Sequence, residues 1–353
     1  MTNRRWPLQV LRPLLARRLA ALATMVALGS LSLACSTDES IDGAAVGDTD
    51  VVASQSTAAP ADTAQTTTDL PDVVVTYSVL AALVRDLVDG VADVVTVIPD
   101  GQDPHTFEPS AKDIATLNDA ALVVANGLDL EAGLDNALAN ADESGTKVFF
   151  VTDHVTLADL VDVNDHAGHD HDHPGADSTV TDGHDHSKDP HVWLSPATMR
   201  EALPALAQAA SEALGTDLTA AASRLDAQLQ AVDAELTETF AEFDECELVT
   251  GHNELGYFAQ RYGCEVIAAI LPSAATSAEE SAGAVEFVID VIRTHDVAVI
   301  FPSLGSSGAV AERVADSTGA RIVEVNTHFL GSATSYVTFI TSLGDTIAAG
   351  LRG

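Results

Sequence analysis

The sequence predicts an α/β protein of two lobes, each built on a parallel sheet, with a long helical stretch between them. Three observations carry this reading. Short β-rich runs alternate with helical patterns over two separate stretches, the βαβα signature of parallel sheets. Residues 196–243 lie between those stretches and read as helical throughout, apart from a break at Gly215-Thr216-Asp217. With 353 residues and 46% hydrophobic content, the chain can bury cores for two lobes of ordinary size.

The N-terminal part reads as a delivery system. Residues 1–34 carry Arg4, Arg5, Arg12, Arg17 and Arg18 without an acid, then an apolar run from Leu19 to Ala34 that is too short for a comfortable membrane span. This is the layout of an export signal peptide, with Arg4-Arg5-Trp6 leaving both general secretory and twin-arginine routes open. Leu31-Ser32-Leu33-Ala34 ahead of Cys35 resembles a lipoprotein cleavage site. Cys35 is therefore expected to become a lipidated terminus holding the protein to the outer face of the cell membrane, the alternative being an ordinary signal with an incidental cysteine. Residues 35–70 are rich in Ser, Thr, Ala and Asp and form a disordered tether.

Residues 71–195 form the expected first lobe. Its strands run near Val73 to Thr76, Val94 to Ile98, Ala121 to Ala125 and Lys147 to Thr152, with a helix near Val79 to Val88 and others between. Within it, residues 164–189 interleave His166, His169, His171, His173, His184 and His186 with aspartates and glycines and have no apolar face. This is an exposed mobile loop, and such tracts bind divalent metal weakly; a merely solvated insertion is the plain alternative. Residues 196–243 open on Ser195 as an N-cap and Pro196 in the first turn. Their second helix carries Leu225, Leu229, Val232, Leu236 and Phe240 as one apolar stripe, as befits the connector between lobes. Residues 244–353 repeat the α/β pattern, with strands near Leu248 to Thr250, Val266 to Ile270, Val297 to Phe301 and Arg321 to Asn326 and a last helix near Ser335 to Leu351.

Charge narrows the partners. The formal net charge is −37, and losing the five basic and no acidic residues of the signal lowers it to about −42. Such a surface repels nucleic acid and anionic lipid while concentrating cations, although solubility alone is also a sufficient reason for it. Cys246 and Cys264 stand just before two apolar extended runs, so in an exported chain they are expected to bridge as a disulfide at the starts of neighbouring parallel strands.

Three histidines sit in related contexts: Asp103-Pro104-His105, Asp189-Pro190-His191 and Gly251-His252-Asn253. A proline-stiffened turn prearranges an imidazole, and ligands of parallel α/β lobes gather beyond the carboxyl ends of strands. Three neutral imidazoles suit zinc better than the oxygen-seeking magnesium or calcium. Asp103 and Asp189 either order the turns or accept the second imidazole N–H. His154 and His295 have no such context and read as surface residues.

Asp103-Pro104-His105-Thr106-Phe107-Glu108-Pro109-Ser110, Asp189-Pro190-His191-Val192-Trp193-Leu194-Ser195-Pro196 and His252 with Gly256-Tyr257-Phe258-Ala259-Gln260-Arg261-Tyr262-Gly263 resemble the zinc- and manganese-binding solute-binding lipoproteins of ATP-driven metal importers. The resemblance covers about residues 72–350. It implies two α/β lobes joined by a rigid helix with metal in the cleft, delivery to an ABC permease, and action as a monomer. A histidine at the third position, as at His252, is the zinc-type choice of that family. The family's fourth position is usually aspartate, and Asn326 aligns with it here within Glu324-Val325-Asn326-Thr327-His328. Asparagine is a poor zinc ligand, so the favoured set is His105, His191 and His252 with water, while His328 or a loop histidine could complete it.

The expectation is an extracytoplasmic receptor that captures zinc as cargo and has no enzymatic role. Manganese or iron is the alternative cargo, and a zinc-dependent adhesive or structural lipoprotein the alternative class. A zinc hydrolase is disfavoured because no His-Glu-x-x-His or Gly-x-Ser-x-Gly motif occurs.

Overall fold

The computed structural model describes residues 70–160, 163, 187–271, 276, 282–303 and 307–353. The expectations for the signal segment, Cys35, the tether, and the loop histidines His166, His169, His171, His173, His184 and His186 lie outside the described residues. Every described element belongs to one compact unit within residues 66–353.

The first lobe is a four-stranded parallel sheet. Its strands are β1 (Asp72–Val75), β2 (Asp93–Thr96), β3 (Leu122–Ala125) and β4 (Val148–Phe150), in the order β2-β1-β3-β4. Central strands covered on both faces must be apolar throughout, and Val73, Val74, Val75, Val123 and Val124 are all fully buried. Helices α1 (Ser78–Val88), α2 (Ala111–Asp119) and α3 (Asp135–Glu143) make the crossovers. A capping box between Ser110 and Asp113 starts α2.

Helix α4 (Pro196–Leu214) begins as expected, with the Ser195 side chain accepting from the Thr198 amide and proline in its first turn. It ends at Gly215, whose φ of 62° is the left-handed cap that a residue with a Cβ adopts only with strain. Helix α5 (Thr219–Phe240) follows, and its stripe of Leu225, Leu229, Val232, Leu236 and Phe240 is almost wholly buried. Each such side chain contributes about 1.5–3 kcal/mol relative to exposure. The helix packs against α1 of the first lobe and against α6 (Gly256–Tyr262) and α9 (Tyr336–Arg352) of the second.

The second lobe repeats the topology of the first. Strands β5 (Glu247–His252) and β6 (Glu265–Leu271) pair in parallel, as do β7 (Val299–Ile300) and β8 (Arg321–Ile322). The parallel bridge between Thr250 and Phe301 joins the pairs into the order β6-β5-β7-β8. Helices α7 (Ala282–His295) and α8 (Gly308–Thr318) cover one face around a core of Val249, Ile267, Ile270, Val288, Ile300 and Val314. The other face joins the larger core that runs through α4, α5 and α9 into the first sheet. Strands β7 and β8 are shorter than the sequence pattern suggests, since Pro302 has no amide with which to extend the ladder. Cys246 and Cys264 are joined by a disulfide directly ahead of the register pair Glu247 and Glu265, with Cα atoms 4.5 Å apart.

Candidate metal centre

Both sheets reverse strand order beside their first strand, and a crevice opens at the carboxyl ends at such a switch point. Four histidines meet between the two crevices. His105 lies in the 3-10 turn Pro104–Thr106 after β2, and His191 stands directly ahead of the turn Val192–Leu194 that leads into α4. His252 ends β5, and His328 lies in the loop between β8 and α9. One ring nitrogen from each falls within 4.8 Å of all the others. Ring centroids are separated by 5.1 Å for His252 and His328 and by 5.8 Å at the widest, for His105 and His252.

His105 and His191 therefore converge with His252 as the repeated motif suggested, their Nε2 atoms 3.3 Å apart. Asn326, which the resemblance aligned with the fourth position, is engaged locally. Its side-chain oxygen accepts from the Phe329 amide and its nitrogen donates to the Phe329 carbonyl, so the carboxamide is committed to shaping its own loop. Two residues on, that loop brings in His328. His328, one of the completions considered for the favoured set of His105, His191 and His252 with water, thus joins those three in a cluster of four imidazoles.

The two Asp-Pro-His turns share one device and then diverge. Asp103 Oδ1 accepts from the His105 amide and Asp189 Oδ1 from the His191 amide, each carboxylate tightening its turn. Asp189 Oδ1 also accepts from His191 Nδ1 at 2.8 Å, leaving the Nε2 lone pair facing the cluster. Asp103 instead receives the Thr276 hydroxyl through Oδ2. Behind His191, Asn126 after β3 donates to the Pro190 carbonyl and accepts from the Tyr77 hydroxyl, tying the turn to the first sheet. Across the cleft, a Cβ on Gly256 would meet Asp189 Oδ2 at 2.5 Å, so the approach of α6 to this turn requires glycine.

The other two rings are oriented from the second lobe. The Ser303 hydroxyl lies 3.3 Å from His252 Nδ1, and Thr327 Oγ1 lies 3.0 Å from His328 Nδ1. The Nε2 atoms of both rings are buried without a hydrogen-bond partner. Buried nitrogens with nothing to bond are costly unless something else occupies the space they face. Trp193 Nε1 donates to the Thr327 carbonyl, and Asp100 accepts from the amides of Leu330 and Gly331, so first-lobe residues hold the His328 loop at both ends.

Protonation favours cation binding. Burial, reinforced by the neighbouring His191 ring, lowers the His105 pKa from 6.5 to about 3. Burial and the surrounding imidazoles hold His252 and His328 well below the ordinary range. These rings are neutral near pH 7, as metal ligands must be. Close to them, burial raises the pKa of Glu254 to about 7. Neither Glu254 nor Asp100 carried a motif that singled it out in the sequence. His154 stacks on Phe149 and His295 pairs with Glu247, both away from the cluster.

Two α/β lobes facing one another across converging imidazoles define a cleft-binding protein. The chain belongs to the family of the periplasmic component A of zinc-uptake complexes, whose sequence profile matches residues 73–350. It is 27% identical over 258 residues to the high-affinity zinc uptake system protein ZnuA of Bacillus subtilis (strain 168), covering 72% of this chain and 77% of that protein. It is 26% identical over 262 residues to the zinc-binding lipoprotein AdcA of Streptococcus pneumoniae serotype 4, covering 72% of this chain. The chain spans only about half the length, 49%, of that relative. In fold it resembles the periplasmic zinc-binding protein TroA of Treponema pallidum, with a TM-score of 0.67 at 23% identity, covering 80% of this chain and 99% of that one.

Proposed function

We propose that the chain captures zinc as cargo in the interlobe cleft, through His105, His191, His252 and His328, and hands it to an ABC permease for import. One observation carries the reading: four nitrogen donors, one from each ring, gather in one pocket within 4.8 Å of each other. Borderline zinc matches an imidazole set better than magnesium, calcium or manganese does. The family profile and the zinc-binding relatives support the same cargo.

The finer parts of the proposal concern delivery. Residues 1–34 act as the signal peptide and Cys35 as the lipid anchor at the outer face of the cell membrane, supported by the arginine-rich start and the Leu31-Ser32-Leu33-Ala34-Cys35 run. The segments divide as residues 35–70 tether, 71–195 first lobe, 196–243 connector and 244–353 second lobe. The receptor works as a monomer, and its histidine-rich segment gathers metal. Titration calorimetry with zinc tests the site: His191→Ala is expected to lower affinity by at least about 100-fold, since it deletes a ligand with its Asp189 support. Unchanged affinity would refute the assignment.

A further inference from the structure

Asn126, directly after β3, is wholly buried, and each of its polar groups is engaged. Its amide donates to Glu131 Oε1 at 2.7 Å, and its carbonyl accepts from the amide and the hydroxyl of Thr152. Its carboxamide oxygen accepts from the Tyr77 hydroxyl at 3.1 Å. Its carboxamide nitrogen donates to the Gly127 carbonyl at 3.0 Å and to the Pro190 carbonyl at 2.9 Å. The backbone just beyond is strained. Gly127, Leu128 and Asp129 have φ of 93°, 53° and 57°, left-handed conformations that residues with a Cβ keep only where the surroundings enforce them. Glu131, itself buried, enforces this one by accepting from the amides of Asn126 and Gly127. Of all these bonds, the one to the Pro190 carbonyl reaches the turn that carries His191.

We propose that Asn126 is a positioning residue for metal capture, its carboxamide fixing the Pro190–His191 peptide so that the His191 ring meets the cation already in place. The inference rests on the zinc-receptor reading of this cleft. On one side of that peptide, the Pro190 carbonyl accepts from Asn126 Nδ2 and from the Val192 amide. On the other, the His191 amide donates to Asp189 Oδ1, which also holds the ring through Nδ1. Peptide and ring are thus both set before the metal arrives, and a ligand ordered in advance loses little conformational freedom on binding. His191 is wholly buried and His105 only half-buried, so the braced ring is the anchor of the set. The position needs a side chain that donates and accepts at once. An aspartate there would turn an oxygen against the Pro190 carbonyl, whereas asparagine serves both Tyr77 and Pro190.

Asn126→Asp keeps the size and the acceptor for Tyr77 while replacing the donor to Pro190 by an acceptor. Zinc titrations against a competing chelator and the visible absorption of the cobalt-substituted protein read the site. The variant is expected to bind zinc about 10-fold or more weakly, and its cobalt absorption should shift, because a displaced imidazole changes the ligand field. Thr146→Val removes a hydroxyl bonded to the Asn118 carbonyl elsewhere in the first lobe and should alter neither readout. Unchanged zinc affinity in Asn126→Asp, a loss with an unshifted cobalt spectrum, or an equal loss in Thr146→Val would reduce Asn126 to a structural role and overturn the proposal. His191→Ala binding zinc normally would instead overturn the cleft reading itself. Should Asn126→Asp fail to fold, Tyr77→Phe decides, since it frees the carboxamide to turn while leaving Asn126 in place. About 5-fold weaker zinc binding with a cobalt shift supports the proposal, and natural values of both overturn it.

Discussion

At the scale of single residues, the cluster makes stability depend on pH before any metal binds. Metal-free, His105 has a folded pKa of about 3 against 6.5 unfolded, and His252 and His328 are displaced in the same direction. Below pH 6.5 the unfolded chain takes up protons that these buried rings refuse, so their contribution is intact above 6.5 and falls as the medium acidifies. Glu254 works in the opposite sense. Its folded pKa of about 7 lies above the unfolded 4.5, so its contribution is complete below 4.5 and disappears as pH rises through 7. Between pH 6.5 and 4.5, three imidazoles outweigh one carboxyl by about two protons, and stability should fall by up to about 3 kcal/mol per pH unit. Urea unfolding of the metal-free protein at pH 7.5, 6 and 5 checks this, and a flat profile would contradict it. His105, His191 and His252 were legible in the sequence because repeated Asp-Pro-His turns and a strand-end histidine advertise themselves. His328 stood in the sequence only as one of several completions of the site and Glu254 was not singled out, because long-range packing brings them in: Trp193 fixes the loop of one, and the Ser303 hydroxyl donates to the other.

At the scale of elements, the loop between β8 and α9 is the joint between lobes. Asp100, after β2, accepts from the Ser78 hydroxyl at 2.6 Å, the Leu330 amide at 2.6 Å and the Gly331 amide at 2.9 Å. These bonds lie two and three residues beyond His328, so they set how freely that ring can withdraw. Asp100→Ala should cost only about 1 kcal/mol of stability, because its bonds to Leu330 and Gly331 are solvent-exposed and that from Ser78 is only partly buried, yet speed zinc release by about 10-fold. Stopped-flow transfer of zinc to a chelator measures the rate, and unchanged release would show that the joint does not hold the cargo. The sequence pattern located the helices and most strands well, since their buried valines and the α5 stripe follow period and composition. It overextended β7 and β8, where pairing across the lobe and the missing amide of Pro302 decide the length. The local engagement of Asn326 was hidden for a related reason: a position aligned by resemblance does not reveal that its carboxamide closes a local turn on Phe329.

At the scale of the molecule, one apolar core runs from the first sheet through α4, α5 and α9 into the second lobe. A wide hinge would have to separate packed helices and expose that core, whereas small sliding of its elements leaves it intact. Zinc binding should therefore change the radius of gyration by less than about 1 Å, as read by small-angle scattering with and without the metal. A larger contraction would show that the helices part. The two-lobe plan itself was legible because each α/β series is complete in sequence. The continuity between the lobes was not, since it is built from contacts between residues more than a hundred positions apart, such as Tyr336 donating to the Trp193 carbonyl.

The disulfide between Cys246 and Cys264 lies at the end of β5 and β6 away from the cleft, yet it bears on the cleft through phase. Side chains of a strand alternate between faces, so a slip of one residue would turn His252 away from its three companions. The ladder carries a register shift between Leu248 and Val249, so the phase of the rest of β5 depends on how its first pair is set. A covalent clasp one residue before the first pair, Glu247 with Glu265, allows one alignment. Oxidation thus acts as a proofreading step for an imidazole at the opposite end of the same strand.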